Sequence, residues 1–232
     1  MSRHTGLAEA TDPVARLRDL DACAVSDALD ALGLPGAALG LHAVTGRHRL
    51  AGRAVTIDLV EAGEVASPRH LGTAAIDASG PGDVIVVAHH GRRHVSGWGG
   101  VLTAGARQAG IEGVVVDGAV RDVDEATDLG LPVFAVTGVP VTARGRVVER
   151  SWNVEVEVAG VRVSPGDYVV ADGSGVVFVP ALAIDAVLAK AETIAATERA
   201  MIAKVQAKRP MTEVMGAEYE NLLTHAAKDR TR

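Results

Sequence analysis

Two short apolar runs separated by a helical pattern constrain the fold of this chain more than any other feature. Val84–Ala88 and Val114–Val116 contain no polar side chain, which is typical of strands buried on both faces of a parallel sheet. Between them, the segment that opens with Trp98-Gly99-Gly100 has apolar residues at helical spacing and ends at Gly110. The order strand, helix, strand predicts a βαβ unit and therefore an α/β fold.

The remaining elements are predicted from capping residues, periodicity and turn signals. An N-terminal helical segment should start after Asp12, an N-cap followed by Pro13, and end near Leu32. A long helix with an apolar stripe should run from Ile184 to Lys208. Between them we expect strands over Ala54–Val60 and Val133–Val136, a loop over His89–Gly97, a helix over Asp122–Leu129 and a β-rich, more antiparallel stretch over Val147–Val179.

The composition limits the classes of ligand and the cellular location. Of the 232 residues, 48% are hydrophobic, which is enough to form one core. The formal net charge is -6 and the basic residues form no dense run, so we expect no nucleic-acid ligand. Cys23 is the only cysteine, which excludes an internal disulfide. Because neither a signal peptide nor ~20 consecutive apolar residues can be found, we expect a cytoplasmic protein without a membrane anchor.

The candidate site lies between Trp98 and Glu125. The glycine pair that opens the predicted helix, Gly99 and Gly100, should expose backbone N–H groups that no side chain covers, which suits a carboxylate or a phosphate. Arg121 follows the next strand and can add a bidentate contact to the same anion. Because this loop leaves the carboxyl end of a strand in an α/β sheet, it lies where such sheets bind ligands.

Two acidic residues beside the arginine indicate a metal site. Asp122 supplies a hard oxygen ligand, and Mg²⁺ or Mn²⁺ is commonly held by one or two carboxylates together with waters and substrate. Glu125 follows three positions later at a predicted helix start, so both carboxylates share a face and Glu125 can order a metal-bound water. The alternative is that Arg121 and Asp122 form a surface salt bridge and that Glu125 is solvated.

Other polar residues near this segment are assigned structural roles. Asp117 is expected to brace the loop by accepting backbone N–H groups, as Asp-Gly turns often do. His89, His90 and His94 lack partner carboxylates at ligand spacing, and His70 is expected at the surface or in a hydrogen-bonded core position. No lysine lies near the site, which favours a metal over a lysine Schiff base.

The same segment carries a family resemblance. The run WGGVLTAGARQAGIEGVVVDGAVRDVDE, residues 98–125, resembles the signature of the family named after regulator of ribonuclease activity A, which also contains 4-hydroxy-4-methyl-2-oxoglutarate aldolases with oxaloacetate decarboxylase activity. Further matches are SDALDALG at 26–33, LPVFAVTG at 131–138 and VRVSPGDYVVADGSGVVFVP at 161–180. The resemblance implies one domain over 1–232, with a core over 20–200 and a C-terminal helical tail over 205–232. It also implies an α/β fold of the swivelling β/β/α sandwich type, with a mixed sheet, N-terminal helices and a long C-terminal helix.

The family's site pattern matches this chain residue by residue. The pattern is a glycine or an aspartate, twenty intervening residues, Arg-Asp and, in one branch, an acidic residue after two more. Gly100, Arg121, Asp122 and Glu125 match the glycine branch, whereas the better-understood aldolase branch has an aspartate at the position of Gly100. This difference leaves open the part of the substrate beyond its pyruvyl end.

The resemblance also implies a role for each matched residue. Asp122 would ligate the metal, Arg121 would hold the substrate's oxygens, and a glutamate of a neighbouring subunit, best matched by Glu198, would approach the metal's water shell. Backbone amides would bind the substrate carboxylate over Gly99, Gly100, Val101 and Leu102.

Two classes of function follow from the resemblance. The first is a lyase dependent on Mg²⁺ or Mn²⁺ that forms pyruvate from small 2-oxo acids, by retro-aldol cleavage or by decarboxylation of oxaloacetate, in a homotrimer or a hexamer of two stacked trimers. The second is a protein that binds and inhibits a ribonuclease without catalytic activity. A third reading keeps the lyase site but assigns it a different natural substrate, since Gly100 departs from the aldolase branch.

Overall fold

The computed structural model describes residues 12–46, 49–63, 65–66 and 69–216 of the chain, which contain seven α-helices and eleven strands. The helices are α1 (Pro13–Arg18), α2 (Ala22–Ala31), α3 (Thr73–Asp77), α4 (Gly100–Gln108), α5 (Val123–Asp128), α6 (Ile184–Gln206) and α7 (Met211–Val214). The strands are β1 (Ala37–Ala38), β2 (His42–Ala43), β3 (Leu50–Glu61), β4 (Asp83–Ser96), β5 (Gly113–Val120), β6 (Val133–Gly138), β7 (Val147–Trp152), β8 (Val156–Val158), β9 (Val161–Val163), β10 (Tyr168–Asp172) and β11 (Gly175–Val179).

A nine-stranded mixed sheet forms the centre of the fold. Its strands follow the order β1-β11-β10-β3-β4-β5-β6-β2, and β7 pairs with β3 beside that path. The neighbours β3, β4, β5 and β6 are parallel. The predicted βαβ unit is therefore confirmed as β4, α4 and β5, with Val87 opposite Val116. The prediction of a more antiparallel later half is also confirmed, because β7 to β11 make antiparallel pairs.

Both faces of the sheet are covered. On one face, Ile85 and Val87 of β4 join a cluster with residues of α3, α4 and α5. The alternate residues Val84 and Val86 point to the other face, where they cluster with valines of the hairpin β8–β9. A third cluster joins α1, α2 and α6 to β10 and β11. The α/β class with a mixed sheet, N-terminal helices and a long C-terminal helix is thus confirmed.

The two terminal helical regions follow their predicted signals. The Asp12 side chain accepts a hydrogen bond from Val14 N (3.1 Å) and caps α1. Helix α6 ends at Gln206, two residues before the predicted end. Within the described ranges, none of the helices is long and apolar enough to cross a membrane. The expectations for residues 1–11 and for the tail over 217–232 lie outside the described residues.

The segment His89–Gly97 was expected to be a loop, and this prediction is wrong. The strand β4 continues to Ser96, and its parallel pairing with β5 is irregular between Val87 and Arg92. His90 and Gly91, with φ angles of 54° and 69°, lie in this irregular part. The polar side chains misled the prediction, because Arg92 and Ser96 pair with β5 through their backbone, opposite Gly118 and Ala119.

Asp117 was expected to lie in a loop and brace it, but Asp117 and Gly118 both lie inside β5. The glycine is needed for close packing and not for chain reversal. A Cβ on Gly118 would overlap the ring of His89 and would lie 2.8 Å from the carbonyl oxygen of Arg92. Because the ring of His89 fills this space, a larger residue at 118 would have to displace it.

Candidate active site

The end of β5 and the start of α4 are tied together by the backbone. Gly97 N donates to Ala119 O (2.8 Å), and Arg121 N donates to Trp98 O (3.0 Å). Trp98 is buried and its Nε1 donates to Thr103 Oγ1 (3.0 Å) in the first turn of α4. These contacts bring Gly99 and Gly100 next to Arg121 and Asp122, as the sequence predicted.

The two glycines at the start of α4 leave room for the acidic side chains. A Cβ on Gly99 would lie 3.0 Å from Asp122 Oδ2. A Cβ on Gly100 would overlap Glu125 Oε2 and would lie 3.3 Å from Asp122 Oδ2. The carboxylate of Glu125 therefore occupies the space that a side chain at position 100 would need.

Asp122 connects the two elements. It precedes α5 in the left-handed region (φ 58°), a conformation that an aspartate adopts at a cost of about 1–2 kcal/mol. Its Oδ2 accepts a hydrogen bond from Gly100 N (2.8 Å), and Arg121 Nε donates to both carboxylate oxygens at 3.1 Å. The expectation that no side chain covers the glycine N–H groups is therefore wrong for Gly100, which Asp122 caps from the next helix.

Other donors remain for an anion. The first hydrogen bond of α4 runs from Thr103 N to Gly99 O (3.0 Å), so the N–H groups of Val101 and Leu102 precede the helical ladder. Arg121 uses Nε for Asp122, and no other described residue pairs with its two terminal nitrogens. The start of α4 and the guanidinium together can bind a carboxylate.

The acidic residues fit a hard divalent cation. Asp122 Oδ1 accepts one hydrogen bond, from Arg121 Nε, so it keeps a lone pair for a metal. The exposed Glu125 carboxylate lies beside the same glycine. Within the described ranges, no group of three or more His, Cys, Asp or Glu side chains has the geometry of a metal site. A centre with two carboxylates is the type that Mg²⁺ uses when water and substrate complete its coordination.

Arg121 and Asp122 line a pocket of about 200 Å³. Four of its polar lining residues were not predicted from the sequence to belong to the site: His70, Ser96, Thr142 and Arg144. His70 is exposed, which confirms its expected place at the surface, and it also lines the pocket. No local motif marks these positions, because they come from separate segments. The full lining is His70, Leu71, Ser96, Trp98, Gly99, Gly100, Val101, Leu102, Arg121, Asp122, Thr142, Ala143 and Arg144.

The histidines of β4 and Asp117 do not line this pocket. His89 is fully buried, its Nε2 donates to Val95 O (2.8 Å), and burial lowers the pKa of its ring. His90 Nε2 lies 2.9 Å from Asp58 Oδ1, and His94 is exposed. Asp117, in β5, lies near His89 of the neighbouring strand β4. No described N–H donates to the carboxylate of Asp117. The expected brace of backbone N–H groups by Asp117 is therefore not formed.

Glu198 lies elsewhere on the same chain. It is half-buried on α6, and its pKa is raised by burial and by the nearby carboxylates of Asp21 and Asp27. Because it does not line the pocket of its own chain, any contact of Glu198 with such a site must come from another copy.

The comparison with known proteins identifies the family. Residues 22–178 match the RraA-like family described as Aldolase/RraA. The chain belongs to the Aldolase/RraA family. One relative, Protein DlpA of Legionella pneumophila, is 31% identical over 183 residues, which are 79% of this chain, but the chain spans only 30% of that protein. A second, from Halalkalibacterium halodurans, is named "Putative 4-hydroxy-4-methyl-2-oxoglutarate aldolase" and is 30% identical over 208 residues, covering 88% of this chain and 95% of the relative.

Solved structures of this family have the same fold. Streptomyces coelicolor RraAS2, described as an unusual member of the RNase ES inhibitor RraA family, has a TM-score of 0.71 at 24% identity, covering 90% of this chain and 100% of that chain. The RNA-processing inhibitor RraA from Thermus thermophilis has a TM-score of 0.56 at 28% identity, covering 67% and 92%. Members of the Aldolase/RraA family thus carry names from two functional classes, an aldolase and an inhibitor.

Proposed function

We propose that this chain is a divalent-metal-dependent lyase that releases pyruvate from small 2-oxo acids. The reaction is retro-aldol cleavage of substrates like 4-hydroxy-4-methyl-2-oxoglutarate, decarboxylation of oxaloacetate, or both. The observation that carries this proposal is the meeting of Arg121, Asp122 and Glu125 at the start of α4, where Arg121 and Asp122 line the pocket and Glu125 lies beside Gly100. The name of the relative from Halalkalibacterium halodurans belongs to the same reaction class.

The pyruvyl end of the substrate would bind at the start of α4. Asp122 and Glu125 would hold Mg²⁺ or Mn²⁺, which supplies Lewis-acid stabilisation of the charge on the 2-oxo oxygen. The N–H groups of Val101 and Leu102 bind the substrate carboxylate, and the free nitrogens of Arg121 orient it. When the bond between C3 and C4 breaks, its electron pair stays on the pyruvyl fragment as an enolate, which then takes a proton from water to become pyruvate. The other fragment leaves as CO₂ from oxaloacetate, or as a second 2-oxo acid once the C4 hydroxyl has given its proton to a water molecule. Arg121 and the positive end of α4 stabilise that negative charge.

The distal end of the substrate would face the other side of the pocket. Arg144 and His70 line that side and can donate to an anion. Oxaloacetate and 4-hydroxy-4-methyl-2-oxoglutarate both carry a second carboxylate beyond C3. The positive charge of Arg144 and a ring N–H of His70 therefore favour dicarboxylic 2-oxo acids over substrates with an apolar end.

The first test is pyruvate release by the purified full chain. We expect pyruvate from oxaloacetate or from 4-hydroxy-4-methyl-2-oxoglutarate in the presence of Mg²⁺ or Mn²⁺, and loss of that activity in EDTA. Activity should return when Mn²⁺ is added back. Circular dichroism in EDTA controls for unfolding. Full activity of a folded protein in EDTA would rule out the metal mechanism.

The second test separates Asp122 from its acidic neighbour. Asp122→Ala should lower kcat/KM by about a thousandfold, because it removes a metal ligand together with the partner of Arg121. Asp124→Ala is the matched control, since Asp124 is an exposed carboxylate in the first turn of α5. Asp124→Ala should keep activity within about twofold of the native chain. Equal activity of the two variants would contradict the assignment.

We also propose the trimeric or hexameric assembly that the family resemblance implies, with Glu198 reaching the site of a neighbouring copy. Its half-buried carboxylate lies beside Asp21 and Asp27, apart from the pocket of its own chain. Light scattering should give a mass three or six times that of the 23.8 kDa chain. A monomer with full activity would contradict this assembly.

A second candidate function is inhibition of a ribonuclease by direct binding. The Thermus protein, 28% identical, is described as an RNA-processing inhibitor, which is the observation that favours it. Capture of a purified ribonuclease, together with absence of pyruvate release under all metal conditions, would favour this function over the lyase.

A further inference from the structure

One buried carboxylate near the pocket has no part in the proposed chemistry. Glu149 of β7 is 6% exposed, and it does not line the pocket. Burying an ionised carboxylate is costly unless hydrogen bonds or an opposite charge compensate it. Its Oε2 accepts a hydrogen bond from Gly72 N (2.7 Å), and Arg69 Nε lies 4.0 Å from Oε1. The short hydrogen bond from Gly72 N therefore ties this buried carboxylate to the segment that precedes α3.

The segment that Glu149 holds forms one wall of the pocket. Gly72 follows His70 and Leu71, which line the pocket. Gly72 has a φ of 79°, and a Cβ there would lie 3.3 Å from Trp98 Cζ3. Because Gly72 fits tightly against Trp98, a movement of this segment would change both the wall and the environment of the tryptophan.

We propose that Glu149 is a positioning residue that fixes the wall formed by His70, Leu71 and Gly72, and thereby sets the affinity for the distal end of the substrate. The proposal rests on the proposed lyase function for its substrate class. Glu149 acts through the N–H of Gly72 and not on the metal or the pyruvyl end, which are held by α4, Arg121 and Asp122. Its loss should therefore raise KM and leave kcat nearly unchanged.

The test compares Glu149→Ala with Glu149→Gln. The glutamine can still accept the hydrogen bond from Gly72 N, whereas the alanine cannot. We expect Glu149→Ala to raise KM for 4-hydroxy-4-methyl-2-oxoglutarate by about tenfold, as expected for loss of a charge-assisted hydrogen bond, with kcat within about threefold. Glu149→Gln should restore most of the KM. Glu157→Ala, which removes an exposed carboxylate from β8, is the control and should match the native chain.

A spectroscopic measurement keeps the test independent of turnover. In a Trp152→Phe background, Trp98 is the only tryptophan, and its emission reports on the wall. We expect a shifted emission maximum for Glu149→Ala and a native one for Glu149→Gln, with calorimetric binding of Mn²⁺ unchanged in both. Thermal unfolding of each variant shows that it is folded at the assay temperature.

The outcomes separate the two proposals. If the native chain releases no pyruvate, the lyase function fails. The role of Glu149 is then still decided by two measurements that need no turnover, the emission maximum of Trp98 and the affinity for oxaloacetate measured by calorimetry. Unchanged KM and emission in Glu149→Ala would overturn the positioning role. A defect of the same size in Glu149→Gln would also overturn it, because the hydrogen bond would then not be the cause. A fall in kcat alone would place Glu149 in the chemistry instead of the wall.

Discussion

The two sides of the pocket are built in different ways. The polar side is made by residues close in sequence, where Arg121 and Asp122 follow β5 directly and Asp122 caps α4. The distal side brings together His70 before α3 and the stretch from Thr142 to Arg144, each from a different part of the chain. The first side has its partners fixed by hydrogen bonds, while Arg144 is exposed and free to meet a ligand. From this difference we infer that the polar side carries out the cleavage that all substrates share, and that the distal side selects among substrates.

Among the variants that test this difference between the two sides, the largest effect should come from a side chain added to the polar side. Gly100→Asp places a carboxylate where Glu125 already lies, since even a Cβ there overlaps Glu125 Oε2. We expect kcat/KM for oxaloacetate to fall by about a hundredfold, through steric displacement and repulsion between like charges. Pyruvate release and Mn²⁺ binding by calorimetry measure the effect.

A double variant shows whether the two carboxylates exclude each other. The double variant Gly100→Asp with Glu125→Ala removes the overlap and supplies one carboxylate at the same place. Its kcat/KM for oxaloacetate should therefore be at least about tenfold higher than that of Gly100→Asp alone. Gly105→Ala is the control on the same helix, because its Cβ would lie 3.7 Å from Ile76 at ordinary contact distance. If the double variant is no better than Gly100→Asp, overlap with Glu125 is not the cause.

The same contrast explains what the sequence could predict. The βαβ unit and the meeting of Gly100 with Arg121 were predictable, because both residues follow the carboxyl ends of neighbouring parallel strands, which lie at the same edge of the sheet. The capping of Gly100 N by Asp122 was not, because it depends on the left-handed conformation of Asp122. His70 and Arg144 carry no local signal, since only the fold of distant segments brings them to the pocket.

The second part of β4 was missed for a related reason. Its polar residues resembled a loop, but the hydrogen bond between His90 and Asp58 joins positions 32 residues apart and accompanies a left-handed conformation at His90. Hydrophobic periodicity does not report such a contact. Apolar periodicity predicts a strand well where the side chains of the strand are buried. It does not predict a strand whose side chains are polar and which pairs with its neighbour only through the backbone.

A smaller effect is expected on the distal side. Arg144→Ala should raise KM for 4-hydroxy-4-methyl-2-oxoglutarate by about tenfold, because an arginine bond to a carboxylate is lost. Inhibition by pyruvate, which lacks a second carboxylate, should stay unchanged. Arg162→Ala removes an arginine from β9 that is 80% exposed in its side chain and serves as the control. If Arg144→Ala weakened inhibition by pyruvate as much as it raised KM, Arg144 would bind the pyruvyl end of the substrate. The two sides of the pocket would then not differ in the way proposed.

The smallest effect concerns the packing beneath the polar side. The ring of His89 fills the space beside Gly97 and Gly118, and within the described residues its Nδ1 has no hydrogen-bond partner. Burial lowers the pKa of His89 in the folded chain, whereas the unfolded chain binds a proton near the usual value of about 6.5. Below that pH the unfolded state binds more protons, so this contribution to stability is complete above about 6.5 and declines as the pH falls.

Substituting His89 isolates this contribution. Urea unfolding followed by circular dichroism between pH 7.5 and 5 should show that the native chain loses free energy of unfolding faster than His89→Gln, by at most about 1.4 kcal/mol per pH unit. The glutamine can still donate to Val95 O but does not titrate. The exposed His94→Gln should keep the native slope. If the free energy of unfolding changed equally with pH in His89→Gln and in the native chain, the folded chain would accommodate the charged ring. Close packing of His89 against Gly97 and Gly118 would then not hold the polar side in place.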